Sequence, residues 1–264
     1  MKLPIYQVDA FTSEVFHGNP AAVCPLESWL PDTVLQAIAA ENNLSETAFF
    51  VRREHEYDLR WFTPACEVEL CGHATLASAF VITTILDPGA PQIVFHSRSG
   101  RLSVTVEPVS RELRMDFPAD APREVATPPE LEKILGIAVE QCLTSRIGYL
   151  LAVTDETAVR GVHPDMSRLA ALDCKGVIVS APGSDCDFIS RFFAPQLGVP
   201  EDPVTGSAHC VLTPFWSERL GKSTLHARQT SARGGELRCE RHGARVTLVG
   251  HAALYLQGTA EIAG

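Results

Sequence analysis

The chain comes close to repeating itself, and this limits the folds open to it more than any other feature. Phe62-Thr-Pro-Ala-Cys-Glu-Val-Glu-Leu-Cys-Gly-His-Ala-Thr-Leu-Ala-Ser78, moved along by 131 positions, sets Phe62 on Phe193, Pro64 on Pro195, Cys71-Gly72-His73 on Asp202-Pro203-Val204 and Ala77 on Ala208. In both copies an aromatic, extended segment ends at a proline and a short loop carries acidic residues. A stretch rich in Gly, Thr, Ser and Ala then opens an apolar helix. A helix start presents unpaired N–H groups and a partial positive charge. Two such starts facing one cleft would hold a small anion without a metal or a basic patch. The expected architecture is α+β: two pseudo-repeated domains, each a curved, mostly antiparallel sheet or barrel wrapped around a central apolar helix.

The order of elements fits that plan. Imperfect alternation from Pro4 to Phe11 and the apolar run Asn19 to Cys24 predict two paired strands. Pro31-Asp32 opens a helix that Asn42-Asn43 closes. Tyr57, Leu59 and Trp61 alternate with Asp58 and Arg60, as on a half-buried strand. From Ala74 to Leu86 no residue is charged, which predicts one helix buried on all sides, wrapped by the strands that follow at Gln92 to His96, Leu102 to Val106 and Leu113 to Phe117. Pro118, Pro122, Pro128 and Pro129 then mark a boundary, giving domains over 1–118 and 119–264, with the last strands able to pair back with the first domain. In the second half a helix is expected from Thr205 to Leu220, stopped by Gly221 and kinked or broken at Pro214.

Bulk properties narrow the function. A formal net charge of −10 disfavours nucleic acid and anionic membrane surfaces as partners. No apolar run reaches membrane-spanning length, and Pro4 and Asp9 interrupt the N-terminal stretch where a secretory leader needs an unbroken apolar core. Eight scattered cysteines without a Cys-x-x-Cys pair suggest a reduced, cytoplasmic setting. Cys66, Cys71 and His73 are the one group with any likeness to a metal site, and a fourth ligand at matching spacing is missing, so no metal is expected. No Gly-x-Gly-x-x-Gly and no Gly-x-Ser-x-Gly elbow occurs, and Gly221-Lys222-Ser223 has Trp216 where a phosphate loop needs its first glycine. Proton transfer on a carbon acid, without a cofactor, fits what remains.

Four segments carry a more specific message: Gly18-Asn-Pro-Ala-Ala-Val23, Ser45-Glu-Thr-Ala-Phe49, Glu69-Leu-Cys-Gly-His-Ala-Thr75 and Glu201-Asp-Pro-Val-Thr-Gly-Ser-Ala208. In this order they resemble the signature segments of the PhzF-like isomerases of phenazine biosynthesis, and the resemblance covers most of the chain. It implies the diaminopimelate-epimerase-like fold, a homodimer and a small-molecule carboxylate substrate. It also implies catalytic roles for Glu46, His73 and Asp202, and substrate contacts at Asn19, Cys71, Gly72, Gly206 and Ser207.

From the residues alone, Glu46 is an acid set beside Ala48, Phe49 and Phe50, where lost solvation would raise its pKa toward the operating pH. A satisfied strand-end glutamate is the plainer reading of the same residue. His73 at a helix start is expected neutral, and also suits a purely local structural role. Asp202 serves either as a helix cap or as a substrate contact. Cys71 falls opposite Asp202 in the repeat, so the pair of thiols used by two-base racemases is absent. Two other functions stay open: an epimerase, racemase or dehydratase of amino or hydroxy acids working through Cys71, and a metabolite-binding protein without turnover.

Overall fold

The computed structural model describes residues 1–262. In chain order the strands and helices are β1 (Lys2–Ala10), β2 (Asn19–Leu26), α1 (Asp32–Asn42), β3 (Glu46–Arg53), β4 (Glu56–Phe62), β5 (Glu67–Val68), α2 (Gly72–Val81), β6 (Gln92–Ser97), β7 (Gly100–Val106) and β8 (Leu113–Pro118). They continue with β9 (Arg123–Glu124), α3 (Pro129–Leu135), β10 (Gln141–Ser145), β11 (Gly148–Ala152), α4 (Glu156–Arg160), α5 (Met166–Ala170), β12 (Val177–Pro182), β13 (Phe188–Ala194) and β14 (Val199–Asp202). The last are α6 (Gly206–Leu220), β15 (Thr224–Gln229), β16 (Gly235–His242), β17 (Arg245–Gly250) and β18 (Ala252–Glu261). Two compact units result, one of Met1–Asp116 joined by the chain from Val249 onward, the other of Phe117–Leu248.

In the first unit β1 lies antiparallel to β2 and to β18, β2 runs parallel to β3, and β3 is antiparallel to β4. The β1–β18 ladder runs from Lys2↔Glu261 to Ala10↔Ala252, with a register shift at Gln7/Val8. This pairing takes the last strand away from the 119–264 segment and into the first unit. Helix α2 buries Ala74, Leu76, Ala77, Ala79 and Val81 completely or nearly so, as a helix without a charged face must. Its main sheet neighbours are β2, β1, β3 and β18, not the three strands that follow it. That corrects the expected wrapping: a helix apolar on every side needs cover from several directions, and the strands before it in the chain supply most of it.

The uninterrupted helix expected from Ala74 to Leu86 is also corrected. Regular α-helix stops at Val81 and a π-helical turn covers Ile82–Leu86, closed by Asp87 N–H donating to Ile82 O at 2.7 Å. The cause is local. Thr83 Oγ1 donates back to Ala79 O at 2.8 Å and Thr84 Oγ1 to Phe80 O, and hydroxyls that compete for ladder carbonyls in a β-branched run loosen the α-helical register.

The second unit is built on β12 and β13, antiparallel to each other, with β11 parallel to β12 and β15 parallel to β13. Helix α6 packs against β15 and β16 and continues past Pro214 as fifteen helical residues, so the early break that was one expectation there does not occur. Proline removes the donor that would satisfy the carbonyl four residues back, which is Cys210. Asp120 N–H donates to Cys210 O instead, at 3.0 Å. No helix among the described residues is long and apolar enough to cross a membrane.

Candidate active site

The starts of three elements carry the first-unit candidates. Asn19 begins β2 and Glu46 begins β3; in the parallel ladder Glu46 lies opposite Ala21, two residues on from Asn19, so Asn19 and Ala21 share a face. Cys71 is the N-cap of α2, in extended conformation, Gly72 is its first residue and His73 the second. A left-handed turn at Gly18 (φ 64°) sets where β2 starts. Asn19, Cys71 and His73 are buried, while the Glu46 side chain keeps 16 % exposure.

Glu46, Cys71 and His73 form one cluster, with ligand-type atoms all within 4.8 Å of one another. His73 Nε2 stands 3.2 Å from Glu46 Oε2, off the alignment of a hydrogen bond, and His73 Nδ1 is 3.5 Å from Cys71 Sγ. Burial pushes the His73 pKa down to about 3, so the ring is a neutral imidazole and its contact with Glu46 is not a salt bridge. The two ring nitrogens face different neighbours. A metal ion takes one lone pair from each ligand, whereas here carboxylate and thiol lie at opposite nitrogens, an arrangement that fits proton transfer better than chelation. Cys66, grouped with Cys71 and His73 on spacing, is exposed and accompanies the Thr63 hydroxyl at 3.7 Å instead. Glu46 takes its place in the cluster, which spacing did not reveal because the residue lies far back in the chain.

The second-unit candidates surround the start of α6. Asp202 ends β14, and its Oδ2 accepts the Thr205 hydroxyl at 2.6 Å. Gln229, fully buried at the end of β15, accepts Thr205 N–H at Oε1 (2.9 Å) and donates from Nε2 to Asp202 O (2.7 Å). Gly206 is buried and begins the helix; Ser207, next to it, is exposed. Thr205 and Gln229 were missed in the sequence reading. Thr205 stands inside the 201–208 motif segment, whereas Gln229 belongs to a strand with no motif around it.

The repeat is real in its chemistry and needs one correction in its register. Arg60 and Arg191, 131 positions apart, each make a two-pronged pair with a glutamate: Arg60 with Glu67 at 2.7 and 2.7 Å, Arg191 with Glu201 at 2.7 and 2.9 Å. Each guanidinium also lies over the aromatic ring two residues on, 5.1 Å from Phe62 and 4.8 Å from Phe193. Between the arginine and its glutamate the second copy is three residues longer, so Glu67 and Glu201, like the helix starts Gly72 and Gly206, stand 134 apart. The residue matching Cys71 is therefore the other N-cap, Thr205, and not Asp202. Thr75 and His209 match likewise: Thr75 Oγ1 donates to Cys71 O at 2.6 Å, and His209 Nδ1 to Thr205 O at 2.8 Å. The second thiol is still absent.

Comparison with known proteins shows the family and the fold. The family model of phenazine biosynthesis-like proteins, PhzC-PhzF, matches residues 8–258. The chain belongs to the PhzF family. Among PhzF relatives, an uncharacterized isomerase of Pseudomonas aeruginosa is 54% identical over 262 residues, covering 99% of this chain and 100% of its own. The crystal structure of a PhzF-family phenazine biosynthesis protein from Enterococcus faecalis has a TM-score of 0.96 at 48% identity, covering 99% of this chain and 100% of that one. A putative PhzC/PhzF protein from Clostridium difficile has a TM-score of 0.93 at 43% identity, covering 98% and 100%. The fold is thus the PhzF one, as the four motif segments implied.

Proposed function

We propose that this PhzF-family protein is a cofactor-independent isomerase that moves a proton within a small unsaturated or cyclic carboxylic acid, with Glu46 as the single general acid and base. The observation that carries this reading is the pairing of a strand-end carboxylate with a neutral, buried imidazole, 3.2 Å apart at the start of α2. A carboxylate with one face against protein and a small exposed remainder meets substrate and keeps its proton from bulk water. His73, neutral, offers a hydrogen bond without adding a charge. Family membership and the isomerase name of the Pseudomonas relative point the same way.

Asn19, Cys71 and Gly72 serve as substrate contacts at the start of α2; at the start of α6, Asp202, Gly206 and Ser207 are the residues suited to such contacts. Asp202, already accepting from Thr205, is suited to hold a substrate hydroxyl or amine. The backbone N–H groups at the helix starts suit the substrate carboxylate. The test is incubation in deuterated water with a panel of unsaturated and cyclic carboxylic acids, followed by mass spectrometry. One acid that gains deuterium and changes its double-bond position or ring form is expected; exchange of no acid in a broad panel argues for a binding protein without turnover.

The protein works as a homodimer in the cytoplasm on this reading. All eight cysteines are free thiols, which suits a reducing compartment. Phe16 and the β18 residues Leu254, Tyr255 and Leu256 are exposed, with the Phe16 and Tyr255 rings 5.6 Å apart, an apolar surface of the kind a second copy covers. Light scattering should return the mass of two chains, and a single-chain mass at micromolar concentration refutes the assignment.

A further inference from the structure

The thiol at the far side of His73, read so far only as a substrate contact, carries no proton in a mechanism with one carboxylate. We propose that Cys71 is a second proton carrier of this site, exchanging its proton with Glu46 through His73. The proposal rests on the reading of Glu46 as the general acid and base, and extends it.

Three features of the site lead there. Cys71 Sγ and Glu46 Oε2 lie at opposite ring nitrogens of one imidazole, 3.5 and 3.2 Å away. When Glu46 is ionised its carboxylate only accepts hydrogen bonds, so in that state the nitrogen facing it, Nε2, carries hydrogen; Nδ1 then holds a lone pair, and the thiol is the donor toward it. Cys71 is the N-cap of a ten-residue helix, where partial positive charge favours a negative sulfur. The 3.2 Å contact is not aligned as a hydrogen bond, as is common for catalytic contacts before substrate tightens them.

The exchange balances without any outside reagent. Nε2–H passes its proton to the Glu46 carboxylate as the Cys71 S–H proton passes to Nδ1. One N–H and one S–H bond break, one O–H and one N–H bond form. The products are a carboxylic acid, a thiolate and the other neutral tautomer of His73. No imidazolium forms, which suits a ring whose burial strongly opposes positive charge. Run forward, the relay reprotonates Glu46 after it has given its proton to a substrate carbon; run backward, it discharges Glu46 after a proton has been taken. Cys71 becomes the store that lets one carboxylate act twice in a turnover. Of the other buried thiols, Cys24, Cys210 and Cys239 are pushed up to about 12 by burial and Cys142 is also pushed up by it, and none of them has an imidazole hydrogen bond among the described residues.

The test combines a spectroscopic and a kinetic arm on the full chain. With ¹⁵N-labelled histidine at neutral pH, His73, assigned through the signal lost in His73→Gln, should read as the neutral Nε2–H tautomer. Its Nδ1 resonance should move in Cys71→Ala while the ring stays neutral. An imidazolium, an Nδ1–H tautomer, or an Nδ1 resonance indifferent to Cys71 overturns the proposal. On a substrate found in the deuterium panel, Cys71→Ala should lower kcat on the order of ten-fold, beyond any change in KM from the lost substrate contact and below the ~hundred-fold or greater loss expected for the acid/base group itself. Cys71→Ser should be no better than Cys71→Ala, because an alkyl hydroxyl is too weak an acid to feed the relay; full activity of the serine variant overturns the proposal. Normal turnover of Glu46→Gln instead removes the underlying reading of Glu46, and leaves the spectroscopic result standing by itself.

Discussion

At the scale of single residues, chemistry depends on which polar groups share a pocket, and sequence shows this only where neighbours in space are neighbours in the chain. Cys71 and His73 were legible because they flank one helix start. Glu46 was legible as an odd acid beside buried Ala48, Phe49 and Phe50, but not its distance to His73. Gln229 was invisible: it ties Asp202, Thr205 and the start of α6 together from a strand that begins after the helix has ended. Arg60 was read only as an alternating strand residue and Arg191 was passed over, although their shared spacing to Phe62 and Phe193 was available in the sequence. The residue prediction concerns Glu46→Gln, which preserves shape and removes the exchangeable proton. Turnover should fall on the order of a hundred- to ten-thousand-fold with ligand binding retained, measured by steady-state kinetics and calorimetry on a confirmed substrate. Near-normal kcat together with an inactive Cys71→Ala variant would transfer the mechanism to the thiol.

Elements were easier to read than their partners. Asn43 ends α1 in the left-handed conformation and Gly136 and Gly221 do so for α3 and α6, which is what their residue types signal. Pro214 misled because a proline's cost depends on whether another donor reaches the freed carbonyl, and Asp120 does so from a segment some ninety positions earlier. The β1–β2 connection offers a sharper test of element placement. A Cβ on Gly18 would lie 2.1 Å from Ala10 O, in the backbone of the neighbouring strand, and Gly18 also has φ +64°. Gly89 has φ +96° but open space around the same position. Gly18→Ala and Gly89→Ala therefore share the cost of a left-handed alanine, about 1–2 kcal/mol, and only the first must also move β1 or β2. We expect Gly18→Ala to be the more destabilised in urea unfolding, by a further ~1–3 kcal/mol, and to lose activity through displacement of Asn19. Equal costs would mean that the loop yields and does not fix the start of β2.

For the whole molecule, two similar halves could be inferred from the repeat, but the return of β18 to β1 could not be assigned, since a strand's pattern of apolar residues does not name the edge it joins. Each unit also holds a buried histidine in the first turn of its central helix, at different positions of the repeat, and each is neutral: burial pushes His73 from 6.5 down to about 3 and His209 from 6.5 to about 4. These values fix a pH dependence of stability and its sign. Both folded pKa values lie below the unfolded one, so above pH 6.5 neither state binds the proton and the histidines have no effect on folding. Below pH 6.5 the unfolded chain takes up protons that the folded chain refuses, and stability falls until the folded pKa values are reached. Each group contributes a slope of up to ~1.4 kcal/mol per pH unit, so the pair should remove about 3–4 kcal/mol between pH 6.5 and 5, a sizeable part of a typical ~5–15 kcal/mol. Urea unfolding across that interval should show the loss, ahead of the carboxylate titrations at lower pH. His209→Gln should roughly halve the slope, because glutamine does not titrate and His73 remains. A wild-type stability flat from pH 6.5 to 5 would mean that one or both rings take up a proton inside the folded protein, and would also undercut a neutral His73 between Glu46 and Cys71.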